Sequence, residues 1–137
     1  NSNDYVGALR SLPKKIFMIY VHAYQSLLWN RTAEELVHEG CIGSMDNLQV
    51  PVVGFATEYK DKRIRSIIKR ILSGESITEQ DFVIRQIPEL SSEGSERMLF
   101  AEPEGMRVEN LGSRTFKLCF FLPKGSYATE LVKQMFE

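Results

Sequence analysis

The residues best suited to chemistry lie near the carboxyl end, where an apolar run meets a turn that contains glycine and hydroxyls. Phe116–Leu122 is apolar on both strand faces, which predicts a strand covered on both sides in the middle of a sheet. Pro123 ends the strand, Gly125 allows a tight turn, and we predict Ser126 as the N-cap of a C-terminal helix. Backbone N–H groups at a helix start can hold an anion or a polar substrate. The alternative is a buried strand that simply turns into a helix.

A second candidate is a helix predicted over Glu58–Leu72, with Thr57 as its N-cap and Gly74 as its C-cap. One side is apolar and the other is basic. The basic side carries Lys60, Lys62, Arg63, Arg65, Lys69 and Arg70. Lys62, Arg65 and Lys69 are the candidate phosphate contacts, although a solvated face is the more usual role of such a surface.

A polar stripe interrupts the longest predicted helix. His22, Ser26 and Asn30 repeat every four residues, with Gln25 beside them, inside an otherwise apolar stretch. Buried polar groups must be hydrogen-bonded, so the stripe either docks against loop backbone or faces a ligand channel.

The first half of the chain is predicted to be mainly helical. Asn1–Leu12 indicates a short helix, and Lys14–Glu39 a long, mostly buried helix that Gly40 ends. Leu48–Phe55 favours an edge strand because Pro51 has no N–H to donate.

The second half is predicted to be mainly strands. The polar stretch Leu90–Glu96 is the best internal boundary, and Arg97–Ala101 and Met106–Glu109 indicate strands before the one at Phe116. Helices, then strands, then a helix predict an α+β fold.

Composition excludes several classes of function. The chain has 137 residues, and its 43% of hydrophobic residues is typical of a globular domain. Its net charge of −1 does not indicate a nucleic-acid binder. His22 and His38 have no partners at ligand spacing, so we expect no metal site. With no secretory leader, we expect Cys41 and a buried Cys119 to be reduced, in a cytoplasmic protein without a membrane span.

Two stretches together resemble the TruD-type tRNA pseudouridine synthases. HAYQSLLWNRTAEEL (His22–Leu36) resembles a helix of that family with the pattern aromatic–x–Ser–x–x–x–Asn. FFLPKGSYATELV (Phe120–Val132) resembles the family's closing motif, Leu-Pro-x-Gly-Ser-Tyr/Phe-Ala-Thr. ALRSLPKK (Ala8–Lys15) and the strand at Arg97–Phe100 fit the same register, so the resemblance spans essentially the whole chain.

The resemblance implies the C-terminal part of an enzyme that isomerises a uridine in the D-arm region of tRNA to pseudouridine without a cofactor. Residues 1–12 would be a connecting helix and 13–90 a mainly helical insertion, the TRUD domain. Residues 91–137 would then complete the mixed sheet of the catalytic domain. The implied partners are tRNA and the N-terminal catalytic part of the same protein.

The resemblance also assigns roles to residues. Gly125, Ser126, Tyr127 and Thr129 would border the pocket for the extruded base. Lys124 is a candidate contact to the RNA backbone, although the family's motif leaves its position variable. Gln25, Ser26 and Asn30 would line the pocket or hold the insertion to the catalytic domain.

The family's catalytic Asp motif, Gly-x-Lys-Asp-(Lys/Arg)-Arg followed by Thr-x-Gln, is missing. Tyr59–Arg63 resembles this motif but lacks the Gly and the Thr-x-Gln. It also follows the helix motif at His22–Leu36, whereas in the family the catalytic motif precedes that helix. We therefore interpret Asp61 as a coincidental match. The 137 residues alone are therefore expected to be inactive. The alternatives are a stand-alone RNA-binding module that uses the basic helix and an α+β interaction domain with no RNA role.

Overall fold

A computed structural model describes residues 5–11, 13–39 and 47–136. The elements, in chain order, are α1 (Tyr5–Arg10), α2 (Lys14–His38), β1 (Gln49–Val52), α3 (Lys62–Gly74), two 3₁₀ helices (Glu79–Phe82 and Pro88–Leu90), β2 (Ser95–Met98), β3 (Glu104–Gly112), β4 (Thr115–Phe121) and α4 (Ala128–Phe136). The predicted α+β class is confirmed. The predictions for Ser2, Asn3, Leu12, Gly40 and Cys41 fall outside the described residues.

The chain divides into two compact units, Asn1–Leu99 and Phe100–Glu137. The division falls after the boundary predicted at Leu90, because β2 pairs antiparallel with β1 and so belongs to the first unit. As predicted, β1 is an edge strand, and its Pro51 pairs with Glu96.

The core of the first unit lies where α2 and α3 cover β1. Its buried side chains include Leu28, Trp29, Leu36, Val50, Val53, Ile64, Ile67, Ile68 and Leu72. The α3 side chains in this set recur at helical spacing, so the predicted apolar stripe of the helix is confirmed. Outside α2 and α3, Phe82 and Leu99 belong to the same cluster.

The start of α3 differs from the prediction. The helix begins at Lys62, and Asp61 is its N-cap, accepting from the N–H groups of Arg63 at 2.7 Å and Ile64 at 3.0 Å. Thr57 is not the cap, because its hydroxyl is used in a tight turn, accepting from Gly54 N–H and donating to Gly54 O. Gly74 is the last helical residue rather than the cap.

Two loops cross at very close range in the first unit. Phe55 and Ala56 donate backbone N–H groups to the carbonyls of Ser92 and Glu93, at 2.9 and 3.1 Å. A Cβ on Gly54 would overlap the backbone of the segment 92–94. Only glycine fits this crossing without a backbone shift.

The second unit is a hairpin of β3 and β4 followed by α4. The pairing register runs from Glu104↔Phe121 to Gly112↔Thr115 with two irregularities. Among the described residues 100–136 none is buried, and Phe121 is 76% exposed. The prediction that Phe116–Leu122 is covered on both faces is therefore wrong for the described chain, in which β4 pairs with β3 alone. Cys119, predicted to be buried, is an exposed free thiol for the same reason.

None of the helices in the described ranges is long and apolar enough to cross a membrane.

The glycine crossing gives a matched pair of stability predictions. We expect Gly54→Ala to lower the free energy of unfolding by about 2 kcal/mol or more, because the new methyl group must displace backbone. Gly74→Ala meets no atom within 4 Å at a helical position and should raise it by about 0.5 kcal/mol. Urea unfolding of both variants measures the two effects, and equal stability of the variants would contradict the close crossing.

Candidate functional site

The turn after β4 has the geometry that its sequence predicted. Ser126 donates its backbone N–H to Pro123 O at 3.1 Å, and Gly125 has φ of +92°, a conformation that glycine adopts without strain. No atom lies within 4 Å of a Cβ built on Gly125, so the turn is open to solvent or a ligand.

Helix α4 starts one residue later than the predicted cap implies. Leu131 donates its N–H to Tyr127 O at 3.3 Å, so Tyr127, not Ser126, precedes the first helical residue, Ala128. The N–H groups of the first helical turn, which include that of Thr129, have no intrahelical acceptor. This end of α4 can therefore accept a phosphate or the edge of a base.

The side chains at this turn are available. Lys124 and Thr129 are exposed, Ser126 is half-buried, and the Tyr127 ring is 74% exposed. An exposed aromatic ring beside free N–H groups and hydroxyls can stack on a base while the polar groups hold its edge or a phosphate. The structure brings together all five predicted residues of this turn, Gly125 included; whether they bind a substrate remains a prediction.

The basic side of α3 is largely neutralised by acids of the first unit. Four cations of this segment each lie within ion-pair distance of a carboxylate. The pairs are Lys60 with Glu96 at 2.8 Å, Arg63 with Glu39 at 2.5 Å, Lys69 with Glu79 at 2.7 Å, and Arg70 with Glu35. The pairs of Arg63, Lys69 and Arg70 hold α3 to neighbouring elements, and all four cations contribute little free positive charge.

Lys62 and Arg65 differ from the other cations of this helix. Both are exposed, and neither has an acidic partner among the described residues. They lie three positions apart on one helix, close enough to contact neighbouring phosphates of one nucleic-acid strand. Of the three predicted cations, Lys69 is therefore the weakest candidate.

Lys69 belongs to a partly buried polar cluster that sequence reasoning missed. Glu79 accepts from the Tyr59 hydroxyl and from Lys69, whose Nζ lies 5.9 Å from the centre of the Tyr59 ring. Burial and the bond to Glu79 raise the pKa of Tyr59. Burial raises the pKa of Glu79, but the bonds from Lys69 and Tyr59 outweigh this and hold it below its usual value. The cluster joins α3 to the first 3₁₀ helix, and each carboxylate oxygen of Glu79 accepts one hydrogen bond within it.

A similar cluster joins α2 to the end of α3. Glu75 accepts from Arg31 and, at 3.1 Å, from the Tyr24 hydroxyl. The hydrogen bond from Arg31 and then that from Tyr24 hold the pKa of Glu75 below its usual value. No spacing in the sequence could have identified either cluster, because the partners come from separate elements.

The polar stripe of α2 does not act as a unit. Gln25 is 3% exposed and donates to Val53 O at 2.7 Å and to Ser92 Oγ at 2.8 Å. It therefore docks against the two crossing loops, which is the first of the two alternatives. Ser26 is half-buried, whereas His22 and Asn30 are exposed, and their predicted roles remain untested.

Within the described ranges no group of three or more His, Cys, Asp or Glu side chains could hold a metal ion. The side chain of Asp61 is exposed and is used as the helix cap, so its observed role is structural.

Comparison with known proteins gives a consistent result. A family model described as tRNA pseudouridine synthase D (TruD) matches residues 1–45 and 45–135. A relative from Methanopyrus kandleri, described as a probable tRNA pseudouridine synthase D, is 37% identical over 97% of this chain. A relative from Aquifex aeolicus, described as a tRNA pseudouridine synthase D, is 30% identical over 97% of the chain.

The fold is also found in a solved structure. The crystal structure of a protein described as a tRNA pseudouridine synthase D from Methanosarcina mazei superposes with a TM-score of 0.76 over 98% of this chain, at 23% identity. The chain spans 36% of the length of the Methanopyrus relative, 40% of the Aquifex relative and 41% of the Methanosarcina structure.

Proposed function

Because the chain belongs to the tRNA pseudouridine synthase D (TruD) family, we propose that it is the C-terminal portion of an enzyme that converts uridine in tRNA to pseudouridine. The match of the family model along almost the whole chain carries this proposal. The substrate position proposed is a uridine of the D-arm region, of the uridine-13 type. The proposed compartment is the cytoplasm, in which tRNA is available as a substrate.

In this proposal the 137 residues are inactive alone. The chain has no Gly-x-Lys-Asp motif, and Asp61, the residue that resembles part of it, already accepts from Arg63 and Ile64 as a helix cap. The catalytic Asp would be supplied by the N-terminal part of the same protein.

The second unit supports the proposal that further polypeptide completes the fold. Its apolar side chains, among them Val108 at 58% and Phe116 at 52% exposure, have no buried core of their own in the described residues 100–136. A hairpin and one helix with so much exposed apolar surface need a covering layer to be stable. We propose that residues 13–90 form the insertion and that residues 91–137 return to the catalytic sheet, except for β2, which joins the insertion because it pairs with β1.

The proposed substrate contacts are the turn at Lys124–Thr129 and the two unpaired cations of α3. Lys62 and Arg65 would hold tRNA phosphates, since neither is paired with an acid among the described residues. Tyr127 would stack on the extruded base, and Gly125, Ser126 and Thr129 would border its pocket.

The activity prediction separates the whole protein from this part. We expect the full-length protein to form pseudouridine in unmodified tRNA, and the 137-residue chain to form none. Asp61→Asn in the full-length protein should keep its turnover, because Asn also caps helices well. Pseudouridine is measured by chemical labelling of the tRNA. Activity of the short chain that disappears on Asp61→Asn would make Asp61 catalytic and overturn the proposal.

Tyr127 gives a prediction about the pocket. Tyr127→Ala in the full-length protein should lower kcat/KM about 10-fold or more, because a stacking contact with a base is lost. Phe136→Ala is the matched control, an aromatic ring of the same unit that is 68% exposed. Equal losses of activity in the two variants, or a fall in activity matched by a fall in melting temperature, would show that Tyr127 is a packing residue.

The unpaired cations give a prediction about affinity. The double substitution of Lys62 and Arg65 by Glu should weaken binding of the 137-residue chain to tRNA. It should also reduce the magnitude of the slope of log K against log salt concentration by about 1 to 2. Arg85→Glu, at an exposed position of the same unit, is the control. Filter binding across a salt series measures both quantities. An unchanged slope would remove α3 from the RNA surface.

A further inference from the structure

Helix α2 has a second apolar face that no described residue of the first unit buries. Its inner face packs on β1 and α3. The buried residues of that face are Gln25, Leu28, Trp29, Thr32 and Leu36. The outer face of α2 consists of Ile16, Ile19, Tyr20, Ala23 and Leu27. Ile19 is 64% exposed, Tyr20 69%, and Ile16 and Leu27 are 42% and 43% exposed.

The spacing of these residues makes them one surface. Positions 16, 20, 23 and 27 follow each other at intervals of four, three and four, with 19 alongside, so they lie on one stripe of an α-helix. Relative to Gln25 at 3.6 residues per turn, this stripe is on the opposite side of the helix. A helix that is apolar on opposite sides is typical of the interior of a larger protein.

Charge separates the outer face of α2 from an ordinary solvated surface. Residues 16–30 contain no Asp, Glu, Lys or Arg. By contrast, the exposed side of α3 carries cations along its length. A helix face evolved for water carries charges, so the composition of this stretch indicates contact with apolar groups.

The same composition decides what kind of partner fits. With no cation among residues 16–30, the outer face offers nothing to pair with phosphates, so a polyanion such as tRNA is a poor occupant. The same lack of cations makes an anionic lipid surface a poor occupant. A protein surface that presents apolar side chains fits best.

We propose that the outer face of α2 is the surface against which the remainder of the same polypeptide packs, so that α2 is shared between the core of the first unit and the rest of the protein. This rests on the proposed function, which makes the chain part of a longer enzyme. The relatives supply the length that such packing needs, because the chain spans only 36% and 40% of two of them. The role assigned to Ile16, Tyr20 and Leu27 is packing, not contact with substrate.

The test compares the same substitutions in two lengths of protein. Tyr20→Lys and Leu27→Lys introduce a cation at helix positions where Lys is well tolerated, and Val83→Lys introduces one at another apolar position, 38% exposed. In the 137-residue chain we expect all three variants to have the wild-type urea midpoint. In the full-length protein the two outer-face variants should lower the melting temperature by several degrees, and Val83→Lys should not.

Several results would overturn the inference. Unchanged melting of full-length Tyr20→Lys and Leu27→Lys would do so, as would an equal loss of stability in the short chain, which would mean that these side chains pack within the first unit. A gene that encodes no residues beyond the 137 would remove the occupant. Sedimentation that shows a dimer of the short chain, dissociated by Leu27→Lys while the full-length protein is unaffected, would assign the face to a second copy.

The melting experiment is independent of catalysis. A full-length protein that forms no pseudouridine, yet is destabilised by the outer-face variants, would refute the proposed function and support the docking surface. An active protein whose melting is insensitive to them would do the reverse.

Discussion

The first unit depends on the point where the loops at 53–57 and 91–94 cross beneath α2. Gln25 is buried there and uses its side-chain N–H groups on Val53 O and Ser92 Oγ. An unsatisfied carbonyl in that position would cost about 1–3 kcal/mol, and glycine at 54 is what lets the two backbones approach. One amide side chain and one missing Cβ thus fix α2, the end of β1 and the approach to β2 together.

Ion pairs also connect the elements of the first unit. The acids Glu35, Glu39, Glu79 and Glu96 pair with four cations of the segment 60–70, which includes most of α3. The exposed pairs among them contribute little free energy individually, but the pairing determines which cations remain available. A surface that is uniformly basic in the sequence becomes, in the folded unit, a mostly neutral surface with Lys62 and Arg65 left over.

The second unit and the outer face of α2 show a different kind of constraint. Both present apolar side chains that the described residues do not bury, from Phe121 in the hairpin to Tyr20 in the helix. The chain spans only 36% and 40% of the length of two relatives. The proposal that it is part of a larger enzyme would account for both exposed apolar surfaces.

The sequence by itself determined the α+β class, the helices α2 and α4, the turn at Gly125 and the family, because period, glycine, proline and a contiguous motif are local properties. It did not determine the cap of α3, since both Thr57 and Asp61 are residue types found at helix N-caps and the hydroxyl of Thr57 is used in the turn at Gly54. The sequence could not show which cations lack an acidic partner, that Gln25 joins the two loops by hydrogen bonds, or that Cys119 is exposed. Those depend on which distant segments meet, and only the tertiary structure brings the partners of a side chain together.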